Sequence, residues 1–463
     1  MYVELLFSGV RQIPAATLFK NQFERSMSHT GLSQSGFAET DAFPAAPESS
    51  LRIKFCGPIY GASGYSELSR ACVLALHNAG IPLQVEATRF DPCCPELGEQ
   101  IPLLRQLEFN RIDYNVKILN LTPEQCVLFR EPGCINIAYT MFETDRIPHE
   151  WVESCNQLDG VIVPSNWCRQ VFESSGVRVP LWVAPPGIDV DAFSSDHRGE
   201  GLQELPQTVH RQFARDLHPT KSSLWNWLGI GRGKAASRPG RMLDLQRAFK
   251  FYSIFQWSER NNPRGLLEAY FAEFHRDENV CLVLKTYGRD FSPAQGKWVR
   301  QQVEAVRQSI SLPSYPPVLL ITEMLSREEI CQLHTSCDCF ILPHRSKGLG
   351  LPLLEAMAAG NPLITTRYSG NTDFTRDDNS LLLPYQLTPV FNMNWSRWYR
   401  GDMMWAEPDL AALRTRMRQV HEDRELARQL GNRGRDFVRA EFNWDRRLDI
   451  FLSAVRDIAA RRQ

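Results

Sequence analysis

Two doubly wound α/β domains facing each other across a cleft are what this sequence predicts, and three observations predict them. Short apolar runs alternate with helical stretches twice over, before and after an irregular middle. Each series holds a strand, a glycine turn and a helix start in succession, at residues 51–67 and again at residues 339–360. At 463 residues the chain exceeds a single core, so two domains of about 150–200 residues are expected.

Residues 1–50 are rich in Ser, Ala, Gly and Pro without a sustained period, and they read as an unstructured N-terminal arm. The start lacks a basic leader followed by a long apolar core, so a secretory signal is not expected. Order begins with the strand Leu51–Cys56 and the loop Gly57–Glu67, after which Leu68, Cys72, Ala75, Leu76 and Ala79 form one helical stripe that stops at Gly80. Taken alone, that loop serves equally as a diphosphate or acceptor wrap and as a tight strand-to-helix turn. Further strands are expected at Ile81–Glu86, Val116–Leu121, Ile135–Phe142, Val161–Val163 and Leu181–Ala184, with helices at Glu150–Leu158 and Trp167–Ser175. These close a first domain over residues 51–195.

Residues 196–245 change character, with eight Lys or Arg against five Asp or Glu and no clear period. Within them an aromatic and basic island at residues 221–234 reads either as a membrane-surface or partner contact, or as part of a poorly ordered insertion. A second series over residues 246–430 has strands at Phe251–Phe255, Val280–Lys285, Val318–Thr322, Cys339–Leu342 and Leu363–Thr366. Its helices are expected at Pro263–Phe274, Lys297–Ser309 and Ser326–Ser336, the last opened by a Ser326-x-x-Glu329 capping box. Residues 431–463 read as a C-terminal helical segment.

The stretch His344–Gly360 carries the chemistry. A buried strand is followed by Gly348-x-Gly350, and a helix opens at Pro352. The first backbone N–H groups of such a helix have no internal partner and carry its positive dipole end, so they accept a sugar or diphosphate oxygen. Glu355, one turn in, can receive ribose hydroxyls. A net charge of −1 with 23% charged residues gives no reason to expect a nucleic-acid partner. The twelve cysteines show no repeated C-x-x-C pairs, which predicts reduced thiols in a cytoplasmic protein. Uninterrupted apolar runs stay short of the roughly eighteen residues a membrane span needs, so at most a peripheral membrane location is expected.

With these motifs in place, the chain resembles the family 4 glycosyltransferases, retaining enzymes of GT-B fold with two Rossmann-like domains. The likeness rests on Tyr60–Tyr65, Asp159–Trp167, Ala184–Asp189, Lys347–Pro362 and Ser369–Asp373. It implies a sugar moved from a nucleotide-sugar donor to a carbohydrate or lipid-linked acceptor, as in polysaccharide biosynthesis, with no metal and no other cofactor. By the resemblance, Glu355 receives the donor ribose. Gly348, Gly350 and Leu351 form the loop whose amides face the sugar and diphosphate, and Gly61, Ser63 and Gly64 approach the same diphosphate from across the cleft. Asp373 falls where the family usually has a glutamate.

Three departures are visible. Lys347 stands where the family usually has its first glutamate, eight residues before Glu355, a reversal of sign at the reacting sugar. Gln256 and Asn261 stand where an arginine and then a lysine usually meet the donor phosphates. Arg260, Lys285 and Lys347 are the candidates to supply the missing positive charge, which cleavage of the donor requires. Glu143, following the strand at Ile135–Phe142, is the candidate for a polar contact at the reaction centre, set against an ordinary loop carboxylate capping the helix that begins near Pro148. The departures leave a second reading, a degenerate GT-B pseudo-enzyme or glycan- or nucleotide-binding scaffold.

Overall fold

Apolar β-branched runs bounded by glycine, proline and polar turns become two parallel sheets, each covered on both faces. The structure, a computed structural model, describes residues 51–89, 97–98, 100–193 and 247–461. The expectations for residues 1–50 and 196–245, including the island at 221–234, lie outside the described residues. The first sheet contains β1 (Ile53–Pro58), β2 (Leu83–Thr88), β3 (Val116–Leu119), β4 (Ile135–Tyr139), β5 (Gly160–Val163) and β6 (Leu181–Val183), in the order β2-β1-β3-β4-β5-β6. Around it lie α1 (Gly64–Asn78), α2 (Gln100–Phe109), α3 (Pro123–Phe129), α4 (His149–Cys155) and α5 (Asn166–Ser175).

The second sheet contains β7 (Phe249–Gln256), β8 (Val280–Tyr287), β9 (Val318–Ile321), β10 (Cys339–Leu342), β11 (Leu363–Thr366) and β12 (Leu381–Leu383), in the order β12-β11-β10-β7-β8-β9. Its helices are α6 (Pro263–Glu273), α7 (Pro293–Ile310), α8 (Arg327–Ser336) and α9 (Leu351–Ala358). A two-stranded antiparallel ribbon of β13 (Tyr385–Pro389) and β14 (Met404–Pro408) follows, then α10 (Leu410–Glu422), α11 (Arg424–Glu441) and α12 (Trp444–Ala460). The capping box is formed: Ser326 accepts from the Glu329 amide, and Glu329 accepts from the Ser326 amide.

Both sheets are parallel throughout. Each reverses its strand order once, between β1 and β3 in the first and between β7 and β10 in the second. Connections leave these neighbouring strands in opposite directions, which opens a crevice at their carboxyl ends where ligands bind in such folds. Loops 59–63, 257–262 and 343–350 issue from β1, β7 and β10 at those points.

Two pieces from late in the chain pack on the first sheet. Phe451, Leu452, Ala454, Val455 and Ile458 of α12 join the core formed by α1 and β1–β5. On the opposite face, Val390, Met393, Met403 and Trp405 of the β13–β14 arm join Phe142, Trp151, Val163 and Phe172. All described residues belong to one compact unit. Among the described residues, no helix is long and apolar enough to cross a membrane.

The seat of α12 is tight. A Cβ at Gly160 would stand 2.8 Å from Ile458 Cδ1, so Gly160→Ala should destabilise the protein by about 1–3 kcal/mol. Chemical denaturation measures this, and the double variant Gly160→Ala/Ile458→Val should lose less than the sum of the single changes, because the two sites share one contact.

Candidate active site

The strand β10 delivers a loop that must turn sharply into α9. Gly350 makes the turn at φ +103°, where any side chain would be strained, and it caps α9 without a side-chain hydrogen bond. Among the described residues, the backbone N–H groups of Gly348, Leu349, Gly350 and Leu351 have no hydrogen-bond partner. The glycine at 348 is required by its neighbours, since a Cβ there would lie 2.8 Å from Met141 Sδ. Its carbonyl accepts from Ser165 Oγ at 2.7 Å, which ties the loop to the first sheet. The loop is braced from behind by Ser369, whose Oγ accepts from the Lys347 amide at 2.8 Å. A row of unpartnered N–H groups at a helix start is an anion site in form.

Glu355 lies one turn into α9 between an arginine and a histidine. Arg327 ion-pairs with Oε1, and His334 Nε2 stands 3.5 Å from Oε2. Behind His334, Asn361 Nδ2 donates to the Tyr252 hydroxyl at 2.7 Å, and that hydroxyl stands 2.7 Å from His334 Nδ1, a chain that orients the ring beside Glu355. Burial pushes the Glu355 carboxyl up, but Arg327 and His334 overcome it and hold the group at about 2. Burial keeps His334 below its ordinary range, consistent with a neutral ring.

The second cluster forms where the two halves meet. Arg260, on a single 3₁₀ turn after β7, ion-pairs with Glu143 Oε1 on the loop after β4. The Tyr399 hydroxyl, from the arm, donates to Glu143 Oε2. Lys347 lies on the same side, its amine held well below the usual lysine range by burial and then by Arg260. Among the described residues no carboxylate pairs with Lys347. His344 is fully buried; burial, Lys347 and Arg260 push its ring well below the ordinary range, against a contact with Asn371 that favours the proton. Glu143, Arg260 and Lys347, three of the candidates chosen from sequence, are thus brought together.

Others are placed elsewhere. Lys285 is buried at the end of β8 with its amine over the rings of Phe291 at 4.6 Å and Tyr287 at 5.9 Å, and no contact joins it to Arg260 or Lys347. Burial brings its amine down to about 7. Asp373 reaches across to α5, where Oδ2 accepts from the Asn166 amide at 2.7 Å and from Asn166 Nδ2 at 3.1 Å. In the first loop, Ser63 caps α1 by accepting from the Ser66 amide, and Arg70 fastens the Gly61 carbonyl at 2.6 Å. A Cβ at Gly64 would meet nothing within 4 Å. Beyond the loop, Glu67 on α1 strengthens the hold of Arg327 on its proton. Gln256 and Asn261 shape their own turn: Asn261 Nδ2 donates to the Gln256 carbonyl at 2.7 Å, and Gln256 Nε2 to the Gly288 carbonyl at 3.1 Å.

Tyr399, Arg327 and His334 lie in no sequence motif that marks them as site residues. His344 lies inside the donor-loop stretch and was legible by position; Tyr399 sits in Trp395–Arg400, where no spacing marks it.

The two facing Rossmann-like domains with loops meeting at the switch points define the GT-B fold. Residues 317–386 match the family described as glycosyl transferases group 1. The chain is 37% identical over 59 residues to sulfoquinovosyl transferase SQD2 of Arabidopsis thaliana, which covers 13% of this chain and 12% of that protein. It is 25% identical over 127 residues to the uncharacterized glycosyltransferase MJ1178 of Methanocaldococcus jannaschii, 27% of this chain and 30% of that one. The matched stretches therefore span less than a third of either relative. Among solved structures, sucrose-phosphate synthase from Thermosynechococcus elongatus superposes with a TM-score of 0.59 at 14% identity, covering 89% of this chain and 100% of that one. Anabaena Alr3699/HepE in complex with UDP and glucose gives 0.54 at 13%, with coverage of 89% and 100%.

Lys285 gives a test of the electrostatics. Its folded value of about 7 lies below the roughly 10.4 of an exposed lysine. Between those values the unfolded chain binds a proton that the folded chain does not, so stability contributed by this group rises with pH through that window. Thermal unfolding from about pH 7 to pH 10 should show wild type gaining on Lys285→Met. Parallel curves would contradict the assignment.

Proposed function

We propose that this protein is a retaining glycosyltransferase of family 4 type, moving a sugar from a nucleoside-diphosphate sugar to a carbohydrate or lipid-linked acceptor. The observation that carries the reading is the row of unpartnered N–H groups at Gly348–Leu351 beside Lys347, a half-buried amine with which no carboxylate pairs among the described residues. An anion with several oxygens satisfies both at once. In this reading Lys347 and Arg260 hold the diphosphate, Glu355 takes the ribose hydroxyls, and Gly61, Ser63 and Gly64 close over the diphosphate from the first half. Leu351 contributes its amide to the row, while Lys285, over its two rings, and Asp373, on Asn166, stand outside these contacts.

The reaction breaks the bond between the anomeric carbon and the donor phosphate oxygen. It forms a bond from the acceptor oxygen to that carbon on the same face, and the acceptor proton passes to the departing phosphate. Negative charge grows on the diphosphate as the bond breaks, and fixed cations and amides aimed at it lower the barrier. Glu143 accepts a hydrogen bond from the acceptor hydroxyl and orients it. The positive charge that the family usually places at residues 256 and 261 is supplied here by Arg260 and Lys347. HepE, which shares the fold, forms a complex with UDP and glucose, and this makes UDP-sugars the first donors to try.

Incubating the purified protein with a panel of nucleotide-sugars and measuring released nucleoside diphosphate tests the proposal. Turnover of at least one donor is expected, and Lys347→Ala and Glu355→Ala should each lower kcat/KM by about 10²–10³. Binding of nucleotides with no turnover of any donor would favour the pseudo-enzyme reading instead.

A further inference from the structure

Glu143 and Arg260 belong to opposite halves, and in the unliganded protein they occupy one another. One carboxylate oxygen faces Arg260 and the other receives the Tyr399 hydroxyl, so both are engaged before an acceptor arrives. We propose that the Arg260–Glu143 pair is a cross-cleft latch that the donor opens. The diphosphate draws Arg260 away and frees Oε1 for the acceptor hydroxyl, while Tyr399 keeps Oε2 and sets the direction in which Glu143 points. The inference rests on the function proposed above and adds an order to it: donor first, acceptor second.

The two partners of Glu143 are held very differently. Tyr399 stacks on Phe142 at 5.0 Å and 25°, on the residue next to Glu143 itself. The arm around it is anchored by Trp405, fully buried, and by Trp398 against Trp151 at 5.7 Å. Burial pushes the Tyr399 hydroxyl above its ordinary range, so it keeps its proton and remains a donor. Arg260 sits on a single 3₁₀ turn, its backbone carbonyl held by the Arg345 amide at 2.7 Å while its side chain is 20% exposed. The arginine is the partner free to swing.

The charges favour the exchange. Arg260 lies close enough to Lys347 to repel it, and among the described residues Glu143 forms no ion pair with Lys347. A diphosphate between Arg260 and Lys347 relieves that repulsion and restores the proton that burial and Arg260 disfavour on Lys347, and its several oxygens match the arginine fork better than one carboxylate oxygen does. Tyr399 acts through Glu143 and is a positioning residue.

Calorimetric titration of the full chain with UDP, GDP, ADP and CDP tests the latch without knowledge of the acceptor. Glu143→Gln should tighten the nucleotide that binds by about tenfold, and Arg260→Gln should weaken it by about tenfold or more. In the Arg260→Gln background, Glu143→Gln should change affinity by less than about twofold. Glu143→Asp keeps the charge but shortens its reach, and it reads the same comparison should Glu143→Gln not fold. Tyr399→Phe should leave nucleotide affinity within about twofold yet lower donor turnover at saturation about tenfold, whereas a merely structural role moves both. The latch is overturned if Glu143→Gln leaves affinity unchanged or weaker, or if its gain persists without Arg260. If no nucleotide binds wild type or either Glu143 variant, the latch and the proposed function fall together. If one binds wild type and Glu143→Gln alike, the latch alone falls.

Discussion

An ammonium taken out of water keeps its proton cheaply only when an opposite charge lies close by. Lys347 has none among the described residues, and Arg260, near enough to disfavour its proton, is another cation. Directly after it the chain presents four amide hydrogens without partners. Nothing in folding alone rewards that arrangement, since a carboxylate at this position would satisfy both. An unmet demand for negative charge, built into the turn between β10 and α9, is the constraint around which the cleft is organised.

The fold explains how that demand is framed. Strand order reverses at β7 and β10 in one sheet and at β1 and β3 in the other, so the loops that issue there face one another. The chain then stitches the halves together twice more. Helix α12 becomes part of the first core, and the arm lays Met403 and Trp405 against its other face. The arm therefore carries Tyr399 from the second half to a carboxylate of the first. Arg345 makes the connection stiff, bridging Glu259 at 3.1 Å and Glu407 at 2.6 Å, beside the turn that bears Arg260.

Much of the fold was legible because its signals are local. Buried parallel strands read as short β-branched runs, and those at Cys339–Leu342 and Leu363–Thr366 match the structure end for end. Helices α2 and α3, and strands β12–β14, were not seen; β13 is exposed along most of its length, so it shows no alternation to read. The donor loop was legible for the same local reason, glycines ahead of a helix. The rest of the site was not, because it depends on contacts far apart in the chain. Tyr399 meets Glu143 across 256 residues, and Asn166 meets Asp373 across 207. Asp373 illustrates the difference: its motif points toward the donor, whereas its carboxylate is engaged by the amides at the start of α5. Lys285, chosen for its place at a strand end, lies over two rings and apart from the other cations.

The central claim is that the Lys347 turn is an anion site, and binding of inorganic pyrophosphate tests it without reference to nucleotide, sugar or acceptor. Calorimetric titration of wild type and Lys347→Met, compared at low and moderate salt, reads it directly. The account predicts measurable binding by wild type, weakened by salt, and at least about tenfold weaker binding by Lys347→Met, the loss expected for one charge-assisted contact. Equal affinity in the two proteins, or no binding by wild type at low salt, would contradict it.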